Sequence, residues 1–161
     1  MKALILVVLA SFAAGGLCAQ TQITAKDAAD IEAAMASGKR LFGSSVEIRR
    51  GFQRVDRPET FSAESASTDV AGVARMSTRQ WERVVVRLPR NVSADHIACL
   101  MVDSKCSPLP VGASLDSKAG IFYWHVANAF KGDFDLVFYQ PGSSPIIVRV
   151  TAAPEITTKL K

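Results

Sequence analysis

Three sets of side chains in this 161-residue chain have types and spacings that could do chemistry. Asp116, with Asp133 and Asp135 in an Asp-x-Asp, supplies hard oxygen donors. Trp81, Tyr123 and Tyr139 are aromatics that strand alternation turns away from a core, and such rings can stack on sugar faces. Cys99 and Cys106 form an even thiol pair. Histidines add little: His96 and His125 stand far apart at strand edges without a recognisable partner, which favours structural roles. Ser44, Ser45, Ser143 and Ser144 read as turn serines without an activating neighbour. There is no nucleophile motif, phosphate-binding glycine loop or metal-spaced histidine pair, so the residues point away from an enzyme.

The chain opens with Lys2, a predominantly apolar run from Ala3 to Ala14, and small residues leading to Ala19. That layout predicts a signal peptide over 1–19, too short for a membrane span, and a secreted or periplasmic protein with no transmembrane segment after cleavage. Leu17 lies directly before Cys18, the wrong order for a lipoprotein signal, so cleavage after Ala19 is expected. In an oxidising compartment Cys99 and Cys106 could bridge. They flank a turn at Asp103-Ser104 as diagonal neighbours, and two small buried hydrophobes are an equal alternative. Between Lys39 and Arg90 eleven basic residues face six acidic ones, but spread over several segments, which reads as solvated strand faces rather than a nucleic-acid surface.

These side chains must be positioned by short strands. Thr24 and Asp27 start an Ala-rich helix that Gly38 stops, with a thin apolar stripe of Ala28, Ile31, Ala34 and Met35, expected to dock loosely or act as a spacer. Beyond it, β-type runs alternate with turn residues: 46–52, 59–65, 70–76, 81–88, 96–102, 121–126, 133–140 and 145–151. In 81–88 the arginines repeat every fourth residue as on a helix, yet Val84-Val85-Val86 favours strand. Phe122, Trp124, Phe134, Leu136 and Phe138 fall on inward faces; Tyr123, His125, Asp133, Asp135 and Tyr139 fall outside. Half of the chain's aromatic residues lie between Leu109 and Phe138, and alternation makes that density a core.

The segment from Leu109 to Val150 resembles the immunoglobulin-like, cadherin-like modules of bacterial exported and surface proteins. The resemblance rests on Leu109, Pro110, Gly112, Leu115, Asp116, Gly120, Trp124, Gly132, Phe134, Val148 and Val150. It implies a sandwich and says little of function, since such modules serve adhesion, display and spacing. It also implies a calcium site between carboxylates at a sandwich end, for which Asp116, Asp133 and Asp135 are the candidates.

The expected protein is all-β: an immunoglobulin-like antiparallel β-sandwich over 44–153, preceded by the signal peptide and a short helix or linker over 20–43, and followed by a flexible tail over 154–161. It is expected to be a non-catalytic binding, adhesion or structural module whose protein or glycan partner the residues do not name. The competing expectation is a carbohydrate-binding accessory or enzyme with its site in the end loops, around Asp56 to Glu59, Asn91 to Asp95 and Asn128 to Asp133.

Overall fold

A computed structural model describes residues 23–40, 45–52, 60–89 and 95–153. The expected signal peptide, the tail, and the loop segments 56–59 and 91–94 lie outside the described residues. The elements run α1 (Ala25–Ala36), β1 (Ser45–Phe52), β2 (Thr60–Ser67), β3 (Val73–Arg79), β4 (Arg83–Arg87), β5 (Ile97–Val102), β6 (Lys105–Ser107), β7 (Ala113–Asp116), β8 (Ile121–His125), β9 (Gly132–Tyr139) and β10 (Ile146–Ala153). Among the described residues no helix is long and apolar enough to cross a membrane.

The strands form two five-stranded sheets, ordered β2-β1-β4-β8-β7 and β3-β10-β9-β5-β6. Taking β1, β4, β8 and β7 as strands A, B, E and D, and β5, β9 and β10 as C, F and G, these seven strands follow the immunoglobulin order, with β2, β3 and β6 added at the sheet edges. One pair departs from an antiparallel sandwich: β3 runs parallel to β10, from Ile147 opposite Val73 to Ala153 opposite Arg79. Most of the expected strands form within a few residues of their expected bounds. The third starts at Val73 rather than Val70, because Asp69 to Gly72 make a turn in which the Asp69 carboxylate accepts the N–H groups of Ala71 (2.8 Å) and Val73 (3.0 Å). Trp81 belongs to the turn before β4 and not to the strand.

Alternation decides the core. The inner face of the first sheet offers Val46, Ile48, Val84, Val86, Phe122 and Trp124, and the second sheet answers with Leu136, Phe138, Val148 and Val150, all at most 1% exposed. Phe122 meets Phe138 edge-on at 5.2 Å, and Trp124 stands edge-on to Phe130 (5.2 Å) and Phe134 (5.5 Å). Such T-shaped pairs set the negative face of one ring against the positive edge of the next.

The helix docks rather than hanging as a spacer. Thr24 caps it, accepting the Asp27 N–H at 3.1 Å while its hydroxyl donates to the Asp27 carboxylate at 2.7 Å. Ile31 is fully buried on the outer face of the second sheet, in a cluster with Val73, Cys99, Val137 and Ile147. This explains why Ile147, which alternation places beside Asp135 and Arg149, is apolar. The helix covers the end of the face that carries Ile147, and leaves the other end to paired polar groups.

Candidate functional site

The other outer face, on the first sheet, carries the candidate site. Its first member is held by the turn from Arg79 to Glu82. The Glu82 side chain is buried and accepts from the Arg79 N–H (2.8 Å) and the Thr78 hydroxyl (3.0 Å), which supplies the hydrogen bonds a buried carboxylate needs. The main chain of the turn is tied at three points: Gln80 N–H to Ala153 O, Trp81 N–H to Val126 O, and Val126 N–H to Glu82 O. The Gln80 side-chain amide also donates to the carbonyl of Asn128. So constrained, Trp81 has a φ of 68°, a left-handed conformation costly for a bulky side chain, and the residue is 46% exposed.

From Trp81 a strip of aromatic and cationic groups crosses the sheet. The Trp81 ring lies 6.2 Å from the exposed His125 ring, at 61°. His125 is directly opposite Arg83 in the β4–β8 pairing, and the Arg83 guanidinium sits over the Tyr123 ring, 5.5 Å from its centroid, a cation–π arrangement. Val85 follows, buried between Arg49 on β1 and Tyr123 on β8 in register. Arg87 lies at the far end of β4, and Glu47 reaches both Arg49 (2.7 Å) and Arg87 (3.8 Å). Trp81 and Tyr123 are thus brought to one face. The join between them, His125 and Arg83, was missed at the level of sequence; strand alternation puts both outward, but their pairing depends on register.

The remaining candidates fall elsewhere. Tyr139 is on the opposite sheet, half-buried in the cluster beneath α1, where its hydroxyl accepts the Gly142 N–H at 3.4 Å, so it does not join the strip. The three aspartates do not make one calcium site. Asp116 is at the edge of the first sheet, its carboxylate accepting the Ala119 N–H (2.8 Å) inside the turn that Gly120 closes at a φ of 65°. Asp133 and Asp135 lie on the second sheet, where Asp133 accepts from the Thr151 hydroxyl (2.6 Å) and Asp135 takes both forks of Arg149 (2.6 Å each). These are cross-strand pairs in register on β9 and β10, and among the described residues no group of three or more His, Cys, Asp or Glu could hold a metal ion.

Cys99 and Cys106 are joined by a disulfide, 5.5 Å between Cα atoms, diagonal across the β5–β6 hairpin whose turn, Asp103-Ser104, has positive φ at both residues. His96 is buried: Nε2 lies 3.1 Å from the Pro89 carbonyl, Nδ1 3.4 Å from that of Ser117, and its backbone N–H donates to Ser117 O. It pins the exit of β4 to the β7–β8 turn. The cavity beside it, lined by Ile23, Leu109 and Leu115, measures about 30 Å³, room for a water molecule and little more.

Fold and face together define a β-sandwich with one sheet partly capped by a helix and the other bearing an exposed aromatic and cationic strip. In comparison with known proteins, the chain matches no family model and no curated sequence.

Proposed function

We propose that this is an exported, non-catalytic binding module of immunoglobulin-like type that engages its partner through the outer face of the first sheet. One observation carries the reading: α1 is spent on the second sheet, while the first holds Trp81, His125, Arg83 and Tyr123 in continuous contact or register on rigid backbone. Aromatic and arginine side chains are the types that dominate binding energy when they are buried by a partner. Display on paired strands spares much of the ordering cost of association.

The test is capture by the immobilised chain from panels of extracellular proteins and glycans, comparing wild type with a Trp81→Gly, Tyr123→Ala double variant. Binding lost in the variant, with the captured ligand recovered at unchanged mass, is the expected result. A ligand returned cleaved or modified overturns the non-catalytic reading, and capture indifferent to both substitutions moves the site off this face.

A further inference from the structure

We propose that α1 and the Cys99–Cys106 disulfide form a redox latch: reduction of the bridge frees the helix from the second sheet, and the docked helix in turn shields the bridge. The helix holds both half-cystines. Its fully buried side chain, Ile31, packs in the same cluster as Cys99, and the Glu32 carboxylate accepts the Cys106 N–H at 2.8 Å. Two neighbouring residues of one short helix thus grip the two ends of one covalent bond.

The grip depends on the bridge because β6 depends on it. β6 has three residues, lies at the edge of its sheet and pairs with β5 through Leu100–Ser107, Met101–Cys106 and Val102–Lys105. So short a ladder is marginal by itself, and the disulfide is what ties it to the sheet covalently. With the bridge cut, the Cys106 N–H is no longer held where Glu32 meets it. Two thiols also need more room than bridged sulfurs, and Cys99 is fully buried, so the added bulk presses on the cluster that seats Ile31. Twelve residues are too few to persist as an isolated helix in water, so a released α1 unravels. The chain is seated again just beyond it, where Arg40 lies so close that a Cβ on Gly72 would come within 2.7 Å of its own Cβ. Gly38, at a φ of 71°, stands between helix and seat as the pivot.

Shielding follows from burial. A reducing thiolate must reach a sulfur, and Cys99 is fully buried while Cys106 is partly buried against the same cluster. Once the helix lifts, one thiolate of a dithiol attacks the Cys106 sulfur, the S–S bond breaks, and Cys99 leaves as a thiolate that takes up a proton. The second thiol of the reductant then gives up its proton and attacks the mixed disulfide. Cys106 departs and is protonated in turn, the reductant closes to its own disulfide, and two electrons have passed to the protein. By linkage, the factor by which reduction favours release is the factor by which release favours reduction. The open latch uncovers the apolar outer face around Val73, Val137 and Ile147, on the sheet that does not carry the Trp81 strip.

The experiment is amide hydrogen exchange of the purified chain in its bridged form and in excess dithiothreitol, read peptide by peptide as mass. Reduction is expected to speed exchange in α1 and β6 by about tenfold or more, while β4, β8, β9 and β10 keep their protection. Unchanged exchange in α1, or protection lost across the whole sandwich at once, overturns the latch. A second measurement is the rate at which dithiothreitol opens the thiols to alkylation. Ile31→Ala is expected to raise that rate by about tenfold or more, and Val84→Ala, which makes its cavity in the core between the sheets, to leave it unchanged. Equal rates in wild type and Ile31→Ala would overturn the shielding. Acceleration by Val84→Ala to match Ile31→Ala would mean that the bridge is reduced through global unfolding, which overturns the latch as well.

Discussion

The Glu32 carboxylate on α1 accepts the backbone N–H of Cys106 at 2.8 Å, joining residues 74 apart in sequence. That N–H belongs to the short strand β6 at the edge of its sheet, so the helix supplies an acceptor where the sheet has no further strand. Replacing Glu32 with Leu should cost about 1–3 kcal/mol if the N–H is left buried without a partner. Ile31→Ala should cost about 2–5 kcal/mol, as for a fully buried aliphatic. Urea unfolding measures both, and faster amide exchange confined to α1 would trace the loss to docking. An Ile31→Ala midpoint equal to wild type would contradict the packing described here.

The Cys99–Cys106 disulfide closes a small loop, with a sequence separation of 7. Chain-entropy reasoning assigns such a loop about 2–3 kcal/mol, and reduction should lower stability by that amount. Alkylation followed by intact mass should label neither thiol until reductant is added; labelling of both beforehand would exclude the bridge in the purified protein.

Trp124 is fully buried, yet its Nε1 has no hydrogen-bond partner among the described residues. Truncation to Ala should cost about 3–5 kcal/mol. Trp124→Phe should cost well under half of that, since it keeps a ring against Phe130 and Phe134 and gives up a donor that earned no bond. Comparable losses in the two variants would show that the indole N–H is satisfied after all.

Acid should loosen the turn before β3. The Val73 N–H is the largest influence holding the Asp69 carboxyl below its ordinary 3.8; the Ala71 N–H and Arg75 add to it, against a smaller opposing effect of desolvation. A carboxyl depressed in the folded state contributes stability above its unfolded pKa and loses it as the pH falls through the folded value. The Asp69→Asn variant should therefore be less stable than wild type near neutrality and converge with it in acid, once the pH has fallen through the folded-state value that lies below 3.8. A difference that persists undiminished in acid would assign the turn's stability to something other than the Asp69 charge.

Strand faces were legible where alternation is strong. Phe122 and Trp124, Phe134 to Phe138, and Ile146 to Val150 point where their period-two pattern puts them, because one face is buried and a one-residue slip would expose it. β7 was not legible: Ala113-Ser114-Leu115-Asp116 is short, follows a Pro-x-Gly corner and has no β-branched residue, so only its pairing with β8 makes it a strand. Docking of α1 was hidden as well. Its stripe of Ala28, Ile31, Ala34 and Met35 is thin, and the residues it covers come from four strands distant in sequence. Of the candidate site, the outward Tyr123 could be read from alternation, whereas the setting of Trp81 could not. A residue with a φ of 68° is invisible to periodicity, and its neighbour His125 arrives only through the β4–β8 register.

The parallel pairing of β3 with β10 has a mechanical consequence. β10 is flanked along almost its whole length, by β3 on one side and β9 on the other, over seven residues in each register. Tension applied along the axis of β10 would load both hydrogen-bond ladders in shear instead of unzipping them bond by bond. Slippage must break many of those bonds together. Anchored by that strand, the sandwich would bear force as a unit, and its least protected point under load would be the helix at the opposite end of the described chain.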